Sequence, residues 1–137
     1  MYLPSEHQPK LKRVTGIGGF FFRAKDSKGL TAWYNKHLGL DTNDYGCTFH
    51  WKDADGNDCT TQWSAFSETT TYMEPSHKQF MQNFRVHDLD ALLERLKSEG
   101  VEIVGEPQAF DYGKFGWILD PEGNKIELWE PIDKAFL

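Results

Sequence analysis

Apolar and polar positions alternate over residues 16–25 and again over 80–87, two aromatic-rich stretches whose period of two predicts β-strands. A stretch of helical period follows each. In the second, Leu89, Leu92, Leu93 and Leu96 fall on one side, Asp88 is placed to cap the start, and Gly100 supplies the left-handed residue that ends the helix. In the first, about 28–38, Leu30, Trp33, Tyr34 and Leu38 form the stripe and Gly39 the stop. Short strands are expected next, near 40–45, 47–52 and 59–65 and then near 101–104, 115–119 and 125–130. Asp53-Ala54-Asp55-Gly56-Asn57 and Asp120-Pro121-Glu122-Gly123-Asn124 read as hairpin turns in which glycine takes the positive φ. The Ser- and Thr-rich stretch 66–79, with Pro75, reads as a connection.

The chain is therefore written twice. Phe22-Arg23-Ala24-Lys25-Asp26 corresponds to Phe84-Arg85-Val86-His87-Asp88, each precedes a helix ending at glycine, and the two Asp…Gly-Asn turns follow in the same order. The predicted fold class is α+β: two tandem βαβββ modules, about 14–66 and 80–131, form a curled mixed sheet around a cleft within one domain, 14–131.

Strand parity separates the faces. Gly18, Phe20, Phe22 and Ala24 share one face of the first strand, with Gly19, Phe21 and Arg23 opposite. Phe84 and Val86 face a helix, whereas Met81, Asn83, Arg85 and His87 face away. Ile126 and Leu128 point to the helix, and Lys125, Glu127 and Trp129 point away. Pairing Trp63 with Leu128 in the repeat puts Thr60, Gln62 and Ser64 on the away face, at the cost of a two-residue insertion. Two sheets joined edge to edge would then gather Arg23, Arg85, Glu127 and Gln62 beside Phe21, Met81 and Trp129. A concave site with aromatic walls and a few polar anchors is how small-molecule pockets are built; a solvated sheet face is the alternative. Arg23 and Arg85, at matching positions of the repeat, would make a pair of anion anchors.

Charge and composition narrow the partners. The 137 residues carry 15 Lys+Arg against 21 Asp+Glu, a net charge of −6, which disfavours nucleic acid and anionic membrane surfaces. No apolar run approaches the length of a membrane span, and the polar start, Met1 to Glu6, lacks a signal-peptide core, so a cytoplasmic location is expected. Cys47 and Cys59 have neither C-x-x-C spacing nor a disulfide-rich context. The 20 aromatic residues are the unusual feature. Phe20, Phe22, Trp33, Tyr34, Trp63 and Phe84 are assigned to packing helices on sheets, leaving Phe21, Trp117 and Trp129 to meet a ligand.

The paired βαβββ units, the segment Trp33-Tyr34-Asn35-Lys36-His37-Leu38-Gly39-Leu40 and the stretch Gly116 to Trp129, with its Asp-Pro-Glu-Gly-Asn…Ile-Glu-Leu core, resemble the vicinal oxygen chelate superfamily of glyoxalases, bleomycin- and fosfomycin-resistance proteins and extradiol dioxygenases. The resemblance covers about 14–131 and indicates fold more than reaction. In the superfamily's metal enzymes a divalent ion takes one ligand from the first and last strand of each module. Those positions fall here at Gly19, Gln62, Met81 and Glu127, and only Glu127 is a suitable ligand. No cofactor is expected on that basis. A relocated metal site built from Glu127 and His50 is a lesser alternative; His37 reads as structural at its helix end.

Three functions stay open at this point. The first is metal-free binding of a small aromatic or anionic organic molecule, with Arg23 and Arg85 as anchors, Phe21, Trp117 and Trp129 as stacking surfaces, and Gln62 and Asn83 as polar contacts. The second is a lactoylglutathione-lyase-like lyase or isomerase in which Glu127 is the general base or a metal ligand. The third is a non-catalytic interaction protein, a homodimer burying its aromatic face. Modules pairing within the chain and across a dimer are both compatible with the 66–79 connection.

Overall fold

The computed structural model describes residues 11–137, so the polar start and His7 lie outside the described residues. Both modules form. The first comprises β1 (Val14–Ala24), α1 (Ser27–Leu38), β2 (Thr42–Asn43), β3 (Gly46–Lys52) and β4 (Asp58–Ser67). The second comprises β5 (Phe80–Val86), α2 (Leu89–Ser98), β6 (Gln108–Phe110), β7 (Gly113–Leu119) and β8 (Lys125–Pro131), and a 3-10 turn, Asp133–Phe136, ends the chain. The strands make one eight-stranded sheet in the order β2-β3-β4-β1-β5-β8-β7-β6. β1 runs parallel to β4 and β5 parallel to β8, and β1 and β5 join the modules antiparallel, within one chain. The architecture is the α+β curled, unclosed mixed sheet expected from the repeat.

Local chemistry explains the boundaries. Asp26 and Asp88 cap the helices, accepting hydrogen bonds from Gly29 N at 3.0 Å and Ala91 N at 3.1 Å. α1 ends at Gly39, whose φ of 72° lets its N–H reach the Asn35 carbonyl. In the two hairpin turns the same aspartate position, Asp53 or Asp120, accepts from the backbone two and four residues on.

Three expectations need correction. The strand near 101–104 is reduced to one bridge, Ile103 to Ile118, with Val104 N bonded to the Trp117 carbonyl at 2.8 Å. Gly105, at φ 68°, and Pro107 then turn the chain away, and the edge strand β6 begins only at Gln108. β2 is likewise shorter than the predicted 40–45. In β1 the register shifts between Ile17 and Gly19, and this bulge turns Gly18 away from the helix face assigned to it. A methyl group on Gly18 would collide with Asn83 Oδ1 and stand 3.0 Å from the Trp129 ring, both on the cleft side.

The two halves are packed unequally. α2 buries Leu89, Leu92 and Leu93 against Val86 and Leu128, with Phe84, Ile118 and Ile126 around them. Each such side chain contributes about 1.5–3 kcal/mol when fully buried. α1 has no buried residue. Trp63 does pack between Phe22 and Tyr34, with ring centres 5.4 and 4.7 Å away. Phe20 and Trp33, assigned to the core from sequence, are however 46% and 50% exposed. A single 12-residue helix with a polar Ser27, Lys28, Asn35 and Lys36 face is too narrow to cover that many large rings. A third cluster, Phe21, Met73 and Met81 with Phe66, lies beneath the 66–79 connection.

Candidate functional site

Register lines up a row of residues across the middle of the sheet. Gly19 pairs with Gln62 on one side and Asn83 on the other; Asn83 pairs with Glu127, and Glu127 with Trp117. The row therefore brings together Gln62, Asn83, Glu127 and Trp117. Met81, expected beside Glu127, lies two residues along β5, opposite Phe21 and inside the Met73 cluster.

Glu127 is buried, and its carboxylate is enclosed by donors. Asn83 Nδ2 donates to Oε1 at 2.7 Å, Trp117 Nε1 donates to Oε2 at 2.9 Å, and the Tyr72 hydroxyl donates to the same Oε2. Because a carboxylate only accepts, Asn83 must present its amide nitrogen there, which leaves its Oδ1 buried without a partner. On the far side of Gly19, Thr48 donates to Gln62 Oε1 at 2.6 Å and leaves Gln62 Nε2 equally unpartnered. Burial, then the adjacent Glu127, pushes the Tyr72 phenol far above its ordinary pKa, so it stays a donor. Lys125 Nζ donates to the Tyr72 carbonyl at 2.6 Å and lies 5.3 Å from its ring centre; burial pulls this ammonium below its usual range, against the pull of Glu127 and Glu74. Tyr72 thus fastens the connection onto the sheet.

Above the row lies a cleft of about 800 Å³, within the usual span for small-molecule sites. Phe21, Phe66 and Tyr72 wall one end. The other wall is a continuous aromatic group on β6, the β6–β7 turn, β7, β8 and the C-terminal turn. Phe110 and Tyr112 stack at 5.3 Å, Phe115 and Trp129 stack at 6.0 Å, and Phe136 meets Tyr112 and Trp129 at 6.1 and 5.9 Å. The β2–β3 turn with Asp44 and Tyr45 forms the opposite rim, and Gln62, Ser64, Asn83 and Glu127 lie on the floor. A shallower hollow of about 410 Å³ at the start of α1, edged by Arg23, Lys25 and Trp33, holds none of the central row.

The two arginines do not converge there. Antiparallel joining of β1 and β5 sends equivalent positions to opposite ends: Arg85 pairs with Gly16, seven residues from Arg23 and so about 23 Å away along the strand. Arg23 donates to the carbonyls of Lys78, Thr70 and Ser76, bracing the connection. Arg85 makes a two-pronged pair with Asp133 at 2.7 Å per bond, donates to the Thr60 carbonyl at 3.0 Å, and lies 5.4 Å from the ring centres of Trp51 and Trp129. Burial opposes the Arg85 charge, and Asp133 more than offsets it. Neither guanidinium lines the cleft.

The row does not fit a divalent ion. It offers one carboxylate, already accepting three hydrogen bonds, and two neutral amides. At Gly19 the space a ligating side chain would need is filled by the Phe21 ring, 2.7 Å from where a Cβ would stand. His50, on β3, pairs with Thr60 of β4 and lies four strands from Glu127 in sheet order, so the two are not brought together. Among the described residues no group of three His, Cys, Asp or Glu side chains is assembled.

Sequence reasoning missed Tyr72, Asp133 and the wall formed by Phe110, Tyr112, Phe115 and Phe136. The aromatic spacing of 110, 112 and 115 was the available signal for the wall; Tyr72 and Asp133 sit in aperiodic segments that carry none.

A sequence profile of the Glyoxalase/Bleomycin resistance protein/Dioxygenase superfamily matches residues 16–128. Among solved structures, methylmalonyl-CoA epimerase from Mycobacterium tuberculosis superposes with a TM-score of 0.59 at 26% identity, over 95% of this chain and 97% of that one. A variant of Streptomyces coelicolor methylmalonyl-CoA epimerase in complex with 2-nitronate-propionyl-CoA gives 0.63 at 16% identity, over 87% and 99%. A Legionella pneumophila NAD-dependent benzaldehyde dehydrogenase chain gives 0.54 at 13%, over 82% and 97%. The last two likenesses concern the fold alone. Comparison with curated protein sequences returns no match. Among the described residues no helix is long and apolar enough to cross a membrane.

Proposed function

The chain belongs to the Glyoxalase/Bleomycin resistance protein/Dioxygenase superfamily, and from that premise we propose that it binds a small aromatic organic molecule in the cleft without using a divalent metal. The observation that carries the reading is the aromatic wall of Phe110, Tyr112, Phe115, Trp129 and Phe136 facing a floor with two unpartnered buried amide atoms, Gln62 Nε2 and Asn83 Oδ1. Stacking surface supplies affinity, about 0.5–1.5 kcal/mol per ring pair beyond burial. The floor amides supply orientation through one donor and one acceptor.

An anionic ligand loses its support, because both arginines direct their donors elsewhere. Proton abstraction by Glu127 is also the weaker reading: three of its four lone pairs are occupied, and Trp117 and Tyr72 both cover Oε2. Glu127 instead fixes Asn83, Trp117 and Tyr72 relative to one another, as a positioning residue.

The test is a thermal-shift screen of aromatic fragments on the whole chain and on a Phe110→Ala/Tyr112→Ala variant. These two rings are 45% and 40% exposed, so their removal leaves the core intact. Fragments that raise the melting temperature of the parent should lose most of that effect in the variant. Hits that keep full affinity would refute the aromatic wall as the binding surface.

A further inference from the structure

We propose that the ligand carries a positive charge at one end of its aromatic body, and that Asp44 on the β2–β3 rim receives it. The proposal rests on the cleft being an aromatic-binding site and adds the charge class of what it takes. Among the described residues that line the cleft, Asp44 and Glu127 are acidic and none is basic. The Glu127 charge is already met by three hydrogen-bond donors, with the Lys125 ammonium 5.6 Å from the adjoining Trp117 ring centre. Asp44 is the remaining anionic group, exposed on the rim opposite the aromatic wall.

The cations near the cleft are engaged elsewhere: Arg85 with Asp133, Arg23 with three carbonyls, Lys125 with the Tyr72 carbonyl. The rim is held in shape, since Asn43 Oδ1 accepts from Tyr45 N at 2.8 Å and Asn43 pairs with Gly46. Ring faces add to the preference, because their quadrupoles attract cations and repel anions. Wall and rim thus select in the same direction. A carboxylate of the same size would meet ring faces and Asp44 with no cationic partner in the lining.

Three naphthalenes of similar size test this by calorimetry at low salt: 2-naphthylmethylammonium, naphthalene-2-methanol and 2-naphthoate. The ammonium should bind about tenfold more tightly than the carboxylate, with the alcohol between. Asp44→Asn should remove several-fold of the ammonium's affinity and leave the alcohol unchanged, and added salt should weaken the ammonium selectively. Equal affinities across the three, a preference for 2-naphthoate, or an ammonium affinity untouched by Asp44→Asn would overturn the charge assignment while the alcohol's binding upholds the aromatic reading. Binding by none of the three would overturn both.

Discussion

Asp133→Ala is the substitution with the sharpest expected consequence. The Asp133 carboxylate accepts two parallel bonds from Arg85 at 2.7 Å each and two from Thr60, backbone N–H and hydroxyl, at 2.9 Å each. The side chains of Arg85 and Asp133 are only 7% and 16% exposed. Removing the carboxylate strands a guanidinium between Trp51 and Trp129, and breaking a buried pair from one side costs about 3–5 kcal/mol, a large part of the roughly 5–15 kcal/mol typical of a domain. Urea unfolding of the parent, Asp133→Ala, Arg85→Met and the Arg85→Met/Asp133→Ala double variant measures it as a cycle. The double variant should lose less than Asp133→Ala, since apolar replacement of both partners leaves no buried charge. The pair also carries a pH signature. Burial pushes the Asp133 carboxyl up, but Arg85 and Thr60 more than reverse this and hold it below its ordinary value. The associated stability is complete above the usual carboxylate pKa of about 4 and is lost as pH falls further; Asp133→Asn should lack that part of the acid slope. A loss under about 1 kcal/mol in Asp133→Ala would refute the buried pair and return Arg85 to the role of an available anion anchor.

Gly18→Ala should cost about 1–3 kcal/mol in denaturant unfolding, because the new methyl displaces Asn83 and leaves Glu127 short of a donor; an unchanged midpoint would contradict the packing at the bulge. Tyr72→Phe should cost about 1.5 kcal/mol and speed limited proteolysis within 66–79, since it cuts the bond that fastens this connection to Glu127. Addition of Ni²⁺ or Zn²⁺, or treatment with a chelator, should leave the melting temperature unchanged, and a stabilisation abolished by Glu127→Gln would show that the central row does take an ion.

The repeat was readable because its signals are local: an aspartate before each helix, a glycine after it, and the same Asp…Gly-Asn turn before each last strand. Strand parity then placed Gln62, Asn83, Glu127 and Trp129 on one face. Parity failed at Gly18, where a bulge inserts one residue and local alternation gives no warning. It also treated Arg23 and Arg85 as a convergent pair, although equivalent positions on antiparallel strands separate with distance from the symmetry point. Their actual partners are the 70–78 carbonyls and Asp133, which lie in segments without periodicity. The vacant helix face of the first module was hidden for a related reason. Hydrophobic residues at the right spacing predict a stripe, and only packing decides whether one helix can cover it; Trp33 remains half exposed.

The central claim is that ligand binds against the aromatic wall, and the indole N–H resonances of the five tryptophans report its location directly. Trp129 lines the cleft and donates to the Tyr112 carbonyl at 2.9 Å, and Trp117, itself outside the lining, is linked to the cleft floor by its bond to Glu127, whereas Trp33 and Trp63 pack on the α1 side of the first module. Titration with naphthalene-2-methanol, followed by ¹⁵N-correlated NMR, should shift Trp129 and Trp117 and leave Trp33 and Trp63 in place. Shifts confined to Trp33 and Trp63 would put the ligand on the outer helix face and contradict the account.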